Sequence, residues 1–227
     1  MKTIQRFAAL MALITWCATS VYSQDLVPFY ENALVGYKDT SGKIIVPAQY
    51  HAGTEFSEGM ALVVDRQFRG FINNQGKVVI PIIYADASLF KNGLARVKQG
   101  NKHGFINDKN KTVIPFEFDA AGDFVNGMAR VSKSGKWGFI DATGKEVIAL
   151  HYENVKNFSE GLAPVKQNGN WGYIDASGKI IIPFQYTNAE EFINGESEVR
   201  KNDERFVIDA KGKFVRKLEL YYPPKKK

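Results

Sequence analysis

The sequence contains a single cysteine, Cys17, and only three histidines. Cys17 lies inside an N-terminal apolar run, so the chain beyond residue 23 has no thiol. This absence excludes disulfides, a cysteine nucleophile and thiolate metal ligands from the body of the protein. His51, His103 and His151 are far apart, and none has a second histidine nearby at the spacing of a zinc site. The residues therefore predict neither a metal site nor a cofactor.

Beyond residue 21 no apolar run is long enough to cross a membrane. The N-terminus differs, because Lys2 and Arg6 precede an apolar run that extends from Phe7 to Val21. This order predicts a secretory signal peptide over residues 1–23. The alternatives are a retained N-terminal anchor and lipidation of the cysteine. We therefore expect an exported protein, periplasmic or extracellular, with no transmembrane segment after signal removal.

The remaining chain has little excess charge of either sign. Without the two basic residues of the signal peptide, 28 Lys and Arg face 24 Asp and Glu, a net charge of +4. Three of these charges are Lys225, Lys226 and Lys227, in a basic tail over residues 218–227. Nucleic-acid binding requires basic residues clustered on one face. The composition therefore predicts no nucleic-acid partner.

What the sequence does have is a repeat of 34 residues. KWGFIDATGKEVI at 136–148 returns as NWGYIDASGKIII at 170–182, and related copies lie upstream. The glycine of the motif recurs at regular spacing, with a phenylalanine in the sixth copy: Gly36, Gly70, Gly104, Gly138, Gly172 and Phe206. Such a period indicates a repeat architecture. Five full copies and a partial sixth form one array over residues 24–217.

Each copy is predicted to be a small β-sheet. A helical hairpin also fits this period, but runs such as VVIP, ending at Pro81, place proline and glycine where a helix would not tolerate them. Short segments rich in β-branched and aromatic residues, separated by turn residues, are typical of strands. We predict an all-β fold in which each repeat is a three-stranded antiparallel meander with a loose first hairpin.

The second hairpin has a defined turn chemistry. Its first position is always Asp or Asn, and its fourth is Gly except for Asn110. Asp or Asn accepts backbone hydrogen bonds at the start of a type I turn, and Gly or Asn tolerates positive φ at its end. The predicted structural turn residues are Asp39, Gly42, Gly76, Asp141, Gly144, Asp175, Gly178, Asp209 and Gly212. They predict a tight hairpin with a bulge.

These columns resemble the WG-repeat family. Trp-Gly, an aromatic residue, Ile and Asp are followed by Gly-Lys and an apolar run that ends in proline, and the likeness extends over about residues 34–215. The copies depart from the pattern because only Trp137 and Trp171 keep the tryptophan and Ala149 replaces the proline. The resemblance implies an all-β repeat scaffold that mediates interactions and carries no family-wide catalytic residue.

The overall shape is predicted from the size of the repeat. We expect an open, solenoid-like array of stacked meanders. A closed, propeller-like ring is the alternative, although propeller blades usually have four strands and about 40 residues or more.

A binding surface is predicted from the one strand position that varies between copies. It reads Leu62, Arg96, Arg130, Pro164 and Glu198, while its neighbours barely change. We take the variable position as the face that packing leaves free, so Arg96 and Arg130, with Trp137 and Trp171, are the candidate binding residues. Because this ridge is not itself periodic, a folded protein is the expected partner. On this view, Arg96→Glu with Arg130→Glu removes binding without unfolding the chain.

Two other functions remain open from the sequence. Trp137 and Trp171 could form an aromatic row for carbohydrate. A hydrolase would need acids that break the repeat, and such acids exist: Asp65 beside Arg66, Glu117, Glu190, Glu191, Glu196 and Glu198. None comes with a recognisable catalytic partner. We therefore expect a non-enzymatic scaffold.

Overall fold

A computed structural model describes residues 26–218. The predicted signal peptide and the tail beyond Leu218 lie outside the described residues. Within that range the chain forms 23 β-strands in six antiparallel sheets, which we call units 1 to 6 in chain order. The same range contains no helix long and apolar enough to cross a membrane.

The units follow one another without crossovers. Unit 1 consists of β1 (Val27–Glu31), β2 (Leu34–Lys38) and β3 (Ile44–Tyr50). Unit 2 consists of β4 (Ala52–Gly53), β5 (Met60–Asp65), β6 (Phe68–Asn73) and β7 (Val78–Tyr84). Unit 3 consists of β8 (Asp86–Ala87), β9 (Ala95–Gln99), β10 (Lys102–Ile106) and β11 (Thr112–Phe118).

Units 4 to 6 repeat the four-stranded arrangement. Unit 4 consists of β12 (Ala120–Ala121), β13 (Met128–Lys133), β14 (Lys136–Asp141) and β15 (Glu146–Tyr152). Unit 5 consists of β16 (Asn154–Val155), β17 (Leu162–Gln167), β18 (Asn170–Asp175) and β19 (Ile180–Tyr186). Unit 6 consists of β20 (Asn188–Ala189), β21 (Glu196–Lys201), β22 (Glu204–Asp209) and β23 (Phe214–Leu218).

The predicted three-stranded meander is present in every unit, and the structure adds a fourth strand to units 2 to 6. This strand has only two residues and pairs with the outer side of the meander's first strand, as Ala52 and Gly53 do with Val64 and Val63. Two residues are too few to show an alternating pattern, so the sequence gives no signal for it.

The first hairpin is tighter than predicted. In unit 4, Lys133 pairs with Lys136, which leaves a turn of two residues. These are Ser134 and Gly135, with φ of 53° and 73°. Positive φ at both central positions is the geometry of a type I′ turn, whose twist matches that of the strands. The expected loose loop is thus a two-residue turn in which Ser134 accepts a left-handed conformation.

The second hairpin has the bulge that Asp and Gly predict. Asp39 Oδ1 accepts hydrogen bonds from the backbone N–H groups of Ser41 at 2.9 Å and Lys43 at 3.0 Å. Gly42 has a φ of 91°, and the strand register shifts beyond the turn. The same contacts recur at Asp141, Asp175 and Asp209. Asn110 occupies the glycine position with a φ of 58°.

The hydrophobic core lies between the sheets. Five clusters of buried side chains fill five seams, each joining two consecutive units. We call the side of a unit that faces the next unit its leading face and the opposite side its trailing face. The seam between units 4 and 5 shows the pattern, with Phe139, Ile148 and Tyr152 on the leading face and Val155, Phe158, Ala163, Val165 and Ile174 on the trailing face.

Because each unit shares its core with its neighbours, the sheets depend on stacking for stability. None of the six sheets closes into a barrel, and units 1 and 6 share no hydrophobic cluster within residues 26–218. The predicted open array of tandem β-units is therefore confirmed.

Candidate binding surfaces

The variable strand position lies in the seams rather than on a free ridge. Leu62 packs against the cluster between units 2 and 3, and Pro164 is buried. The side chains at this position project from the leading face toward the next unit. The expectation that packing leaves this face free was therefore wrong, because the position varies within a contact and not outside one.

Arg96 is held by two carboxylates. Its Nη1 donates a hydrogen bond to Asp86 Oδ2 at 2.7 Å, and its Nε donates one to Asp123 Oδ1 at 3.2 Å. Burial alone would lower the pKa of Arg96, but the neighbouring Asp86 and Asp123 raise it above its usual value. Only 16% of the side chain is exposed. Because Asp123 belongs to unit 4, Arg96 joins units 3 and 4 instead of presenting a free charge.

Arg130 and Trp137 form a contact within unit 4. The guanidinium carbon of Arg130 lies 5.7 Å from the centroid of the Trp137 ring, a cation–π distance. Nη1 of Arg130 donates a hydrogen bond to the carbonyl oxygen of Val155 in unit 5 at 3.3 Å. Its Nε is buried without a hydrogen-bond partner among the described residues. Two of the four predicted binding residues are thus brought together.

Trp171 is a core residue with 7% exposure, and it belongs to the cluster between units 5 and 6. The ammonium of Lys156 lies 5.5 Å from its ring centroid and is also paired with Glu190 at 2.6 Å. A cation lies over each ring, Arg130 over Trp137 and Lys156 over Trp171, and Trp137 also packs against the cluster between units 4 and 5. The geometry gives the carbohydrate hypothesis no aromatic platform at these two residues.

Four of the acids that break the repeat are paired with Lys or Arg, while Asp65 contacts the His51 ring and Glu191 accepts a hydrogen bond from the Asn157 N–H at 2.8 Å. Glu190 contacts Lys156, and Glu117 contacts Lys133 at 2.7 Å. Burial would raise the pKa of Glu190, but hydrogen bonds from Lys156 and Asn188 hold it below its usual value. A general acid needs a raised pKa, so this environment does not suit that role. No three acidic, histidine or cysteine side chains among residues 26–218 converge as metal ligands.

A cavity of about 710 Å³ lies between the leading face of unit 6 and side chains of units 4 and 5, with Arg130 and Lys156 among its lining residues. Glu196 and Glu198 line it, and each is paired with an arginine on the same face, at 2.6 Å to Arg216 and 2.6 Å to Arg205. Val207 and Leu218 supply apolar surface. Within residues 26–218 no hydrophobic cluster covers the leading face of unit 6. The cavity is nevertheless shared by three units, and it contains Arg130, one of the predicted binding residues.

Sequence reasoning missed a row of exposed apolar side chains on the outer strands. Each is between 37% and 58% exposed: Ile44, Val78, Val113, Val147, Ile180 and Phe214. All lie at the first or second position of β3, β7, β11, β15, β19 or β23. We call them the outer row. In β3 burial begins only at the third residue, Val46. Sequence alone carries no signal for this boundary.

The same outer strands limit how a partner can approach. Pro47, Pro81, Pro115 and Pro183 lie at the centre of four of these edge strands, and Ala149 lies there in β15. Proline has no N–H to offer an added strand and protects sheet edges. Contacts with the outer row are therefore made mainly by side chains.

Comparison with known proteins supports the fold. The chain is similar to Kluyveromyces lactis Hsv2p, with 10% identity and a TM-score of 0.51, over 83% of this chain and 72% of that one. It is also similar to a eukaryotic initiation factor, with 12% identity and a TM-score of 0.53, over 86% of this chain and 63% of that one. At such identity the likeness shows the fold alone. No curated protein matches the chain.

A family model described as "WG containing repeat" matches five consecutive segments, residues 36–66, 70–102, 104–137, 137–171 and 171–204. Each matched segment starts in the second meander strand of one unit and extends past the first meander strand of the next, and together the five cover most of the described chain. The chain therefore belongs to the WG-repeat family.

Proposed function

We propose that this protein is an exported, non-enzymatic repeat scaffold that binds another protein through the outer row. The observation that supports this most directly is that an exposed apolar side chain recurs at the first or second residue of the outer strand in all six units. A single exposed apolar residue on a surface needs no explanation. Six at the same end of the outer strand, one in each unit, do, because none of them belongs to a seam cluster. Phe214 also contacts the Phe206 ring edge-on.

The form of the row favours a protein as the partner. Stacked sheets pack about 10 Å apart, so consecutive members of the row are separated by at least about that distance. A surface that meets several of them must extend across two or more units. β-branched residues such as Val147 and Ile180 offer apolar area and few hydrogen bonds, which suits an apolar protein surface better than a sugar.

Export and the absence of catalysis are parts of the same proposal. The charged start, apolar run and small residues of positions 1–23 support export. Four acids are paired with Lys or Arg, which favours structural roles for them: Glu117, Glu190, Glu196 and Glu198. A screen with broad-specificity hydrolase substrates tests this part, and turnover lost on Glu198→Gln would contradict it.

The experiment is affinity capture from envelope and culture fractions of the protein's own cells. The parent chain is compared with Val113→Lys/Val147→Lys/Ile180→Lys, which places three charges on the outer row in consecutive units. The matched control is Glu55→Lys/Asn101→Lys, which changes the net charge by the same amount at exposed polar positions outside the outer strands.

We expect one protein to be enriched by the parent and by the control but not by the outer-row variant. Equal enrichment by all three would remove the outer row from the proposal. A glycan array run with the same three proteins covers the carbohydrate alternative. A specific sugar signal there, without any captured protein, would replace the proposed function.

A further inference from the structure

Every internal seam contains the same pair of apolar side chains. A Leu or Met at the start of the meander's first strand, on the leading face, shares a cluster with an Ile of the next unit's trailing face. The five pairs are Leu26 with Ile72, Met60 with Ile106, Leu94 with Ile140, Met128 with Ile174, and Leu162 with Ile208. The repeat therefore shows which residues on the two end faces would meet if a sixth seam formed.

On the end faces this pair is replaced by opposite charges. Glu196 lies 34 residues after Leu162, on the leading face of unit 6, and Lys38 lies 34 residues before Ile72, on the trailing face of unit 1. Both side chains are half-buried. A charge on only one end would indicate a solvated cap. Glu196 is already in contact with Arg216 of its own unit at 2.6 Å, and Lys38 would be its second cationic partner. Charges of opposite sign at partnered positions indicate complementarity.

Side-chain volumes at the two ends change in a compensating way. On the leading face, Tyr173 of unit 5 is succeeded by the smaller Val207 in unit 6. On the trailing face, Ala61 and Val63 of unit 2 correspond to the larger Val27 and Phe29 in unit 1. The side-chain volume is therefore smaller on the leading face of unit 6 and larger on the trailing face of unit 1. Close packing requires such a balance when a seam is shared.

The end faces also keep apolar surface that a solvent cap would not need. Val27 is 41% exposed on the first face, and the partly buried Leu218 lines the cavity on the last. Within residues 26–218 the two faces do not share a cluster in one molecule.

We propose that the leading face of unit 6 of one copy packs on the trailing face of unit 1 of a second copy, with Glu196 of the first paired with Lys38 of the second. The contact is heterologous, head to tail, and uses the packing of the internal seams. It continues the array from one chain into the next. Because it involves only the ends, it is independent of the outer row and of the proposed protein partner.

The test measures average mass by sedimentation, using the full chain expressed from its own start. Concentration is varied over about a hundredfold, since association follows mass action. The parent is compared with Lys38→Glu, Glu196→Lys, an equimolar mixture of these two variants, and Lys111→Glu. Lys111 is an exposed lysine in the middle of the array and serves as the control.

We expect the mass of the parent and of the control to rise with concentration, while each end variant alone stays monomeric. The mixture should associate as the parent does, because the substituted ends form the reversed ion pair and the unsubstituted ends form the original one. Two variants that had merely misfolded would not restore each other. A parent that is monomeric at every concentration, or a mixture that fails to associate, would overturn the proposal.

Discussion

Glu58 bonds to the backbone of Asn92, one unit further along the chain. Its Oε1 accepts a hydrogen bond from the Asn92 N–H at 2.6 Å, and its Oε2 accepts one from the Gly93 N–H at 2.8 Å. Glu160 makes the same two contacts to Asn194 and Gly195, at 2.7 and 2.8 Å. A turn in one unit thus caps the turn of the next, outside the apolar seams.

Loss of such a cap should weaken the array. Glu160→Ala removes two charge-assisted hydrogen bonds, and because the site is exposed we expect a loss of about 1 kcal/mol in the free energy of unfolding. Urea denaturation measures it. The stabilisation that such a cap supplies can also be tested at position 92. Asn92→Glu should be more stable than Asn92→Ala by a similar amount, because only glutamate reaches the backbone N–H groups of Asn126 and Gly127. Equal stability of the two would show that the cap does not transfer.

The contacts of Glu58 and Glu160 also explain why these two residues adopt an unusual backbone conformation. Both residues have a φ of 52°, a conformation in which the other units use Asn92, Asn126 and Asn194. Glutamate is not favoured there, whereas asparagine is tolerated. The carboxylate that reaches the next turn compensates for this cost.

Two glycines with the same φ separate backbone strain from packing. Gly59 has a φ of 76° and open space around a built Cβ, while Gly76 has a φ of 75° and a Cβ there would overlap Val46 Cγ2 and lie 3.3 Å from Ile45 Cγ2. We expect Gly59→Ala to cost about 1 kcal/mol for the left-handed conformation. Gly76→Ala should cost about 1–3 kcal/mol more, because the methyl group overpacks the seam.

Thermal and urea unfolding of the two variants measures that difference. Equal losses would mean that the turn of unit 2 moves away from Val46 at little cost, and that the seam between units 1 and 2 is loosely packed there. A larger loss for Gly59→Ala would contradict the contact altogether.

The sequence alone predicts the structure of one unit better than it predicts how consecutive units pack on each other. The period, the Asp39-type turn and the β-branched runs follow local rules, and the structure has all three. The seam is different, because the variable position of Arg96 was taken as a free surface. An arginine can occupy a seam when the next unit supplies a carboxylate, as Asp123 does, and no local pattern shows that pairing. The outer row was missed for a related reason, since Ile44 and Val46 differ in burial but not in residue type.

Arg96 should therefore contribute to stability, contrary to the expectation from sequence that its replacement leaves the fold intact. Arg96→Glu places three carboxylates together with Asp86 and Asp123, and we expect a loss of about 2 kcal/mol or more. Arg96→Met keeps much of the packing and should lose less. The free energy of unfolding in urea distinguishes them. An Arg96→Glu variant as stable as the parent would show that the two ion pairs do not hold units 3 and 4 together.

The turn aspartates should make stability depend on acidity. A hydrogen bond from the Ser41 hydroxyl lowers the pKa of Asp39, and Thr143 and Ser177 do the same for Asp141 and Asp175. An unfolded chain has an Asp pKa of about 3.9. Because the folded pKa is lower, these carboxylates stabilise the fold above about pH 3.9, and their contribution is lost as the pH falls through the folded pKa.

Asparagine at the same positions should reduce this dependence without breaking the turn. Asn107 shows that the amide suffices, since its Oδ1 accepts hydrogen bonds from the N–H groups of Lys109 and Lys111 at 3.1 and 2.9 Å. We expect the unfolding temperature of Asp39→Asn/Asp141→Asn/Asp175→Asn to fall less than that of the parent between neutral pH and about pH 3, a range that brackets the unfolded value. An identical fall in both proteins would assign the acid sensitivity to other carboxylates, and the inter-unit pairs of Asp123 and Glu190 would be the next to replace.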